Sequence, residues 1–145
     1  LPAVADMYVW DQFADVAALT VEREKAYTRF VADYREQGTR RYVPAAYPAT
    51  DFADDQFTLA LASHFLLMYD EHLTYDFHQA TLKELLRVTS REVRLFPLIN
   101  LRYQRSPFVA RLMQDPTFAH CTFEIVPVDY EFMKGGSEML RVIRG

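Results

Sequence analysis

The side chains best suited to chemistry are Ser63 and His64, which end the apolar run of Phe57, Leu59, Ala60, Leu61 and Ala62. A hydroxyl beside an imidazole can hold a polar ligand, and the imidazole can take up a proton near neutral pH. The run itself reads as a strand covered on both faces. In an open α/β sheet, ligands bind outside the carboxyl ends of the strands, so the pair marks a candidate pocket with His64 as its proton acceptor. Phe65 to Tyr69 follow as an apolar lip, and Tyr69 is a candidate to close the same pocket. The surrounding ALASHF lacks the glycine-flanked elbow of a serine hydrolase, which argues against a nucleophilic Ser63.

Other reactive groups read as structural. His72 and His78 stand among Asp70, Glu71 and Asp76, but their spacing matches no metal-binding signature, and acidic residues at a helix start answer the helix dipole. No metal site is expected. Cys121, the one cysteine, excludes an internal disulfide and a multi-cysteine zinc centre, and His120 beside it has no visible orienting partner. Arg40, Arg41, Arg87, Arg91, Arg94, Arg102 and Arg105 crowd the middle of the chain without the interleaved aromatics of a single-strand nucleic-acid surface.

A chain of 145 residues that is 50% hydrophobic and 14% aromatic can build one real core and does not have the composition of a disordered segment. Its net charge of −4 gives no overall pull toward nucleic acid or anionic membrane. No apolar run approaches a membrane span and no secretory signal is visible, so a soluble cytoplasmic protein without membrane or nucleic-acid partners is expected.

The elements that must position Ser63 and His64 follow from the pattern. Asp11 and Thr20 are expected to cap two helices, the second carrying Tyr27, Phe30, Val31 and Tyr34 and ending at Gly38. Arg40 to Ala46 reads as a short strand, and Pro48 to Asp55 as a turn-rich loop into the Phe57 strand. A helix over Leu73–Val88 and a strand over Glu92–Ile99 make a parallel crossover unit. Ser106-Pro107 opens a further helix that stops before Pro116. Cys121–Glu131 and Glu138–Ile143 form a closing antiparallel hairpin around Lys134-Gly135-Gly136-Ser137.

This order of elements resembles the C-terminal half of class I S-adenosylmethionine-dependent methyltransferases. FADDQF at Phe52–Phe57 running into LALASHFLLMY looks like the passage into that family's fourth strand. REVRLFPLINL from Arg91 and VDYEFMKGGSEMLRV from Val128 are similar to the fifth strand and final hairpin of a mostly uncharacterised bacterial branch. The resemblance implies an α/β fold with a partial Rossmann-like sheet, parallel strands with helical crossovers, and a C-terminal antiparallel hairpin. It treats 1–145 as a single domain, with 1–38 a helical lead-in or cap and 39–145 the C-terminal part of the α/β domain. It further implies that Ala46, Tyr47, Ser63 and His64 line a pocket for S-adenosylmethionine, with Trp10 and Tyr69 toward the acceptor substrate.

The departures are equally specific. The glycines are Gly38, Gly135, Gly136 and Gly145, none of which follows a strand leading to a helix, so the cofactor's glycine-rich loop is absent. Ala46 and Tyr47 stand where many relatives carry an Asp, and Thr58 replaces the Asp usual after Phe57. The first two strands of the family are missing, and the chain opens on Leu1. Completion of the sheet by an N-terminal segment or by another copy, or else a rearranged sheet, is therefore expected, with no methyltransferase activity from these residues alone. The rival expectation is a non-catalytic interaction module that self-associates or binds a partner chain.

Overall fold

The computed structural model describes residues 2–145. Leu1, the first residue of the expected lead-in, lies outside them. The chain divides into two compact units, Leu1–Ala46 and Tyr47–Gly145.

The N-terminal unit holds a short 3-10 turn, Pro2–Met7, and one long helix, α1 (Val16–Gln37). A single helix replaces the expected pair because Asp15 is the cap: its carboxylate accepts the Ala18 N–H at 2.8 Å. The Thr20 hydroxyl donates instead to the Val16 carbonyl inside the helix. Gly38, at φ +50, ends the helix as expected. Arg40 to Ala46 forms no strand. The chain tightens into a 3-10 turn at Gly38–Arg40, where the Arg41 and Tyr42 N–H groups both donate to the Gly38 carbonyl. Tyr27, Phe30, Val31 and Tyr34 share one side of α1 and are exposed; Leu19 alone is buried in the helix.

The C-terminal unit is α/β with a mixed four-stranded sheet in the order β1-β2-β4-β3. Strand β1 (Phe57–Ser63) runs parallel to β2 (Thr89–Phe96), joined through α2 (Tyr75–Val88). Helix α3 (Pro107–Gln114) leads to β3 (Cys121–Pro127), and β4 (Glu138–Arg144) inserts antiparallel to both β2 and β3. Ser106 caps α3 as expected, accepting the Phe108 N–H with Pro107 behind it, whereas α2 starts at Tyr75 rather than Leu73 because Thr74 is its cap and accepts the Phe77 N–H. Strands β2 and β3 end earlier than expected, at Phe96 and Pro127. After Phe96, Pro97 has no N–H to continue the ladder.

Register divides the sheet into two chemically distinct faces. Val93 pairs with Val142 and Leu95 with Leu140. All four are buried in one core with Leu82, Leu85 and Leu86 of α2 and Val109 and Leu112 of α3. Between them, Arg94 pairs with Arg141 on the opposite face. There Glu92 bridges Arg94 and Arg141, and Arg141 also reaches Glu124 at 2.8 Å. Both crossover helices therefore cover the same face. On the other, Leu59 and Leu61 of β1 stand beside this charged ladder, and Leu61 is 68% exposed. The expectation of a β1 covered on both faces is corrected by the exposure of Leu59 and Leu61, and β1 stands at the sheet edge, paired on one side.

Candidate functional site

The carboxyl ends of β1 and β2 lie side by side because the two strands are parallel, with Ser63 in register with Phe96. His64 continues the ladder by donating its N–H to the Phe96 carbonyl at 2.7 Å. It then leaves the strand at φ +53, a left-handed conformation uncommon for a residue with a side chain. This kink turns Phe65 into the core against Tyr47 and Phe77 while His64 stays at the surface.

Ser63 Oγ lies 2.8 Å from His64 Nδ1, so hydroxyl and imidazole form a hydrogen-bonded pair at the strand end. Partial burial of the ring disfavours the imidazolium and holds the His64 pKa below its ordinary value. A neutral imidazole whose Nδ1–H donates to the Ser63 oxygen leaves the Nε2 lone pair as an acceptor. The His64 ring also stands edge-on to Phe96, with centroids 5.5 Å apart.

Neighbouring loops are fixed by buried polar contacts. The Asn100 side chain donates to Asp70 at 3.1 Å and its oxygen accepts the Arg102 and Gln104 N–H groups. The Leu101 N–H donates to the Met68 carbonyl, joining the segments that follow β1 and β2. Asp70 Oδ1 is buried without a partner among the described residues, an acceptor left over at this edge. The turn before β4 closes down on the same edge: a side chain at Gly136 would meet the Met133 carbonyl at 3.0 Å and Ile99 at 3.3 Å. Gly135, at φ +82, supplies the left-handed residue.

The other sequence candidates distribute unevenly. Tyr47 is half-buried, packs on Phe65 at 5.9 Å and has its hydroxyl pKa raised by burial and then by the charge of Glu84. It serves as a wall of the core. Tyr69 sits in a 3-10 turn (Leu67–Tyr69) with its ring beside His72, and nothing ties it to Ser63 or His64. Ala46 and Trp10 belong to the N-terminal unit, where the Trp10 Nε1–H donates to the Ala5 carbonyl at 3.0 Å. His78 is buried with both ring nitrogens on main-chain carbonyls, those of Thr74 and Leu66. Cys121 is half-buried, and burial raises its thiol pKa.

The sequence reading missed Phe96 and Tyr130. Their rings are 6.2 Å apart, which extends the His64–Phe96 contact into a row across the strand ends. Alternation along β2 was the available signal, since it puts Phe96 on the same face as Glu92 and Arg94. A separate open cavity of about 330 Å³ is lined by Tyr75, Gln79, Arg111 and Asp115. Its polar groups are spent on one another: Tyr75 and Gln79 both donate to Asp115 at 2.6 Å, and the Arg111 guanidinium covers the Tyr75 ring.

Among known proteins, the chain is similar to an uncharacterised protein of Methanocaldococcus jannaschii, 41% identical over 135 residues. That match spans 93% of this chain but 58% of the relative, which is the longer protein. No family model matches the chain, and no solved structure matches it. No helix among the described residues is long and apolar enough to cross a membrane.

Proposed function

We propose that this chain is the C-terminal part of a class I S-adenosylmethionine-dependent methyltransferase, inactive by itself, with the remaining part of the sheet and the main cofactor site lying outside these residues. The observation that carries the reading is the sheet. Parallel β1 and β2 are followed by an antiparallel β4 inserted beside β3, both crossover helices lie on one face, and β1 has a free edge. The parallel start and the closing antiparallel hairpin support the resemblance, although the strand it puts at Arg40–Ala46 does not form. The longer M. jannaschii relative supports it by having room for such a half.

The residues present fit only one end of the cofactor. Ser63, His64 and the unpartnered Asp70 oxygen supply polar groups at the strand ends. No glycine among the described residues follows a strand into a helix to receive the nucleoside end. When bound, S-adenosylmethionine would supply an electrophilic methyl group. The work assigned to this chain is to orient the acceptor at the β1–β2 edge and to take its proton at His64 Nε2.

A second reading rests on the same free edge. A strand open on one side, with Leu59 and Leu61 exposed, also suits a non-catalytic module that pairs with another copy or a partner chain. Calorimetric titration of S-adenosylhomocysteine into the whole M. jannaschii relative separates the two. Saturable binding is expected there, together with none by the present chain. Absence of binding by the longer protein would sink the methyltransferase reading and leave the module.

A further inference from the structure

We infer that the ring row of His64, Phe96 and Tyr130 is a binding platform for a planar aromatic molecule bearing a hydroxyl group. The inference takes from the methyltransferase reading only the name of this ligand, the methyl acceptor. The platform itself stands on geometry.

The rings come from three separate places in the chain and meet at one edge. His64 follows β1, Phe96 ends β2 and Tyr130 lies just beyond β3. Successive centroids are 5.5 and 6.2 Å apart, with interplanar angles of 77° and 57°. Each such contact uses one face of one ring, and because His64 and Tyr130 are exposed the row keeps open aromatic surface, which favours a flat π-system over a saturated body of equal size. Phe96 is half-buried while His64 and Tyr130 are exposed, so the row is open to a ligand.

Each ring is also held in place. Both main-chain and side-chain hydrogen bonds fix His64, and the parallel ladder fixes Phe96. Tyr130 belongs to a loop closed by the Val128 N–H to the Ser137 carbonyl at 2.9 Å and by Glu131 accepting the Gly135 N–H at 2.7 Å. Buried Met133 anchors that loop from below. A platform ordered before binding loses little freedom on binding.

The polar end of the row selects the hydroxyl. With Nδ1 engaged by Ser63, Nε2 is the ring nitrogen left for a ligand, and a hydroxyl, which both donates and accepts, can pair with it in either tautomer.

The test is a titration of the isotope-labelled chain with 2-naphthol, followed by NMR, beside its saturated counterpart decahydro-2-naphthol and its O-methyl ether. Saturable shifts confined to Ser63, His64, Phe96 and Tyr130 are expected with 2-naphthol. Affinity should fall about fivefold or more for the saturated alcohol, as for loss of an aromatic pair, and by a similar factor for the ether. Tyr130→Leu, a change at an exposed ring, should weaken 2-naphthol binding about fivefold while leaving the rest of the spectrum in place. Absent or scattered shifts would overturn the inference, as would equal binding of the saturated alcohol or full binding by Tyr130→Leu. Because no cofactor is used, this result and the S-adenosylhomocysteine titration fail independently.

Discussion

Glu84 fastens the loop that enters β1 to helix α2, and its removal should expose an acid-sensitive part of the stability. The carboxylate accepts the Thr50 N–H at 2.9 Å and the Thr50 hydroxyl at 2.5 Å. It also takes Arg87 Nε at 2.8 Å and Nη2 at 2.7 Å. Arg87 in turn donates to the Phe52 carbonyl and to Asp54, so one ion pair organises the whole approach to the strand. Led by the Arg87 hydrogen bonds, these contacts lower the Glu84 pKa from 4.5 to about 2. A depression of that size corresponds to roughly 3 kcal/mol by linkage. With Arg87 34% exposed, solvent screening reduces the expected contribution to about 1–2 kcal/mol. The folded-state value lies below the unfolded one, so the stabilisation is complete above about pH 5 and is lost as the pH falls toward 2. Urea unfolding of the parent and Glu84→Gln between pH 7 and pH 2 should show a gap of about 1–2 kcal/mol that closes on acidification. A gap that stays constant across this range, or no gap at pH 7, would refute the reasoning.

Two further outcomes test the site and the core. His64 should titrate by NMR below the ordinary histidine range because burial opposes its charge, and protonation should therefore favour the unfolded chain as the pH falls through the unfolded-state value; a midpoint at or above that range would remove it as a neutral acceptor. Leu112 of α3 is fully buried against the sheet, and Leu112→Ala should cost about 2–5 kcal/mol in chemical denaturation; a loss under 1 kcal/mol would mean that α3 does not seal this core.

Local chemistry made much of the C-terminal unit readable. Thr74 and Ser106 are caps whose side chains can reach the next turn, and the alternation of Val93 and Leu95 with Glu92 and Arg94 assigns the two faces of β2. The insertion of β4 between β2 and β3 was not read from the sequence, because a hairpin pattern says which strands pair but not where the pair docks. The N-terminal unit was read less well. Asp15 and Asp11 are both plausible caps by residue type, and only the Ala18 contact decides between them. The aromatic spacing on α1 reports that one side is apolar and not that anything covers it, and those side chains are exposed. The ring row escaped notice because its members are separated by more than thirty residues and meet only through the sheet.

The charged face of the sheet constrains any strand or helix that could be added at its free edge. Its most exposed apolar side chains, Leu59 and Leu61, lie on β1, while Glu92, Arg94, Arg141 and Glu124 form a charged ladder across the three strands beyond, with the partly buried Phe96, Met139 and Ile143 among them. Covering Leu59 and Leu61 removes apolar surface from water at roughly 25 cal/mol per Å². Covering the ladder would instead strip water from charges that already satisfy one another, a cost of several kcal/mol per ion. Arg141 Nε is buried and without a partner among the described residues, so the ladder has little capacity for further dehydration. A strand or helix added at the free edge is therefore favoured across β1 and opposed from β2 onward. That boundary leaves the carboxyl ends of β1 and β2 open, where Ser63, His64 and Phe96 stand.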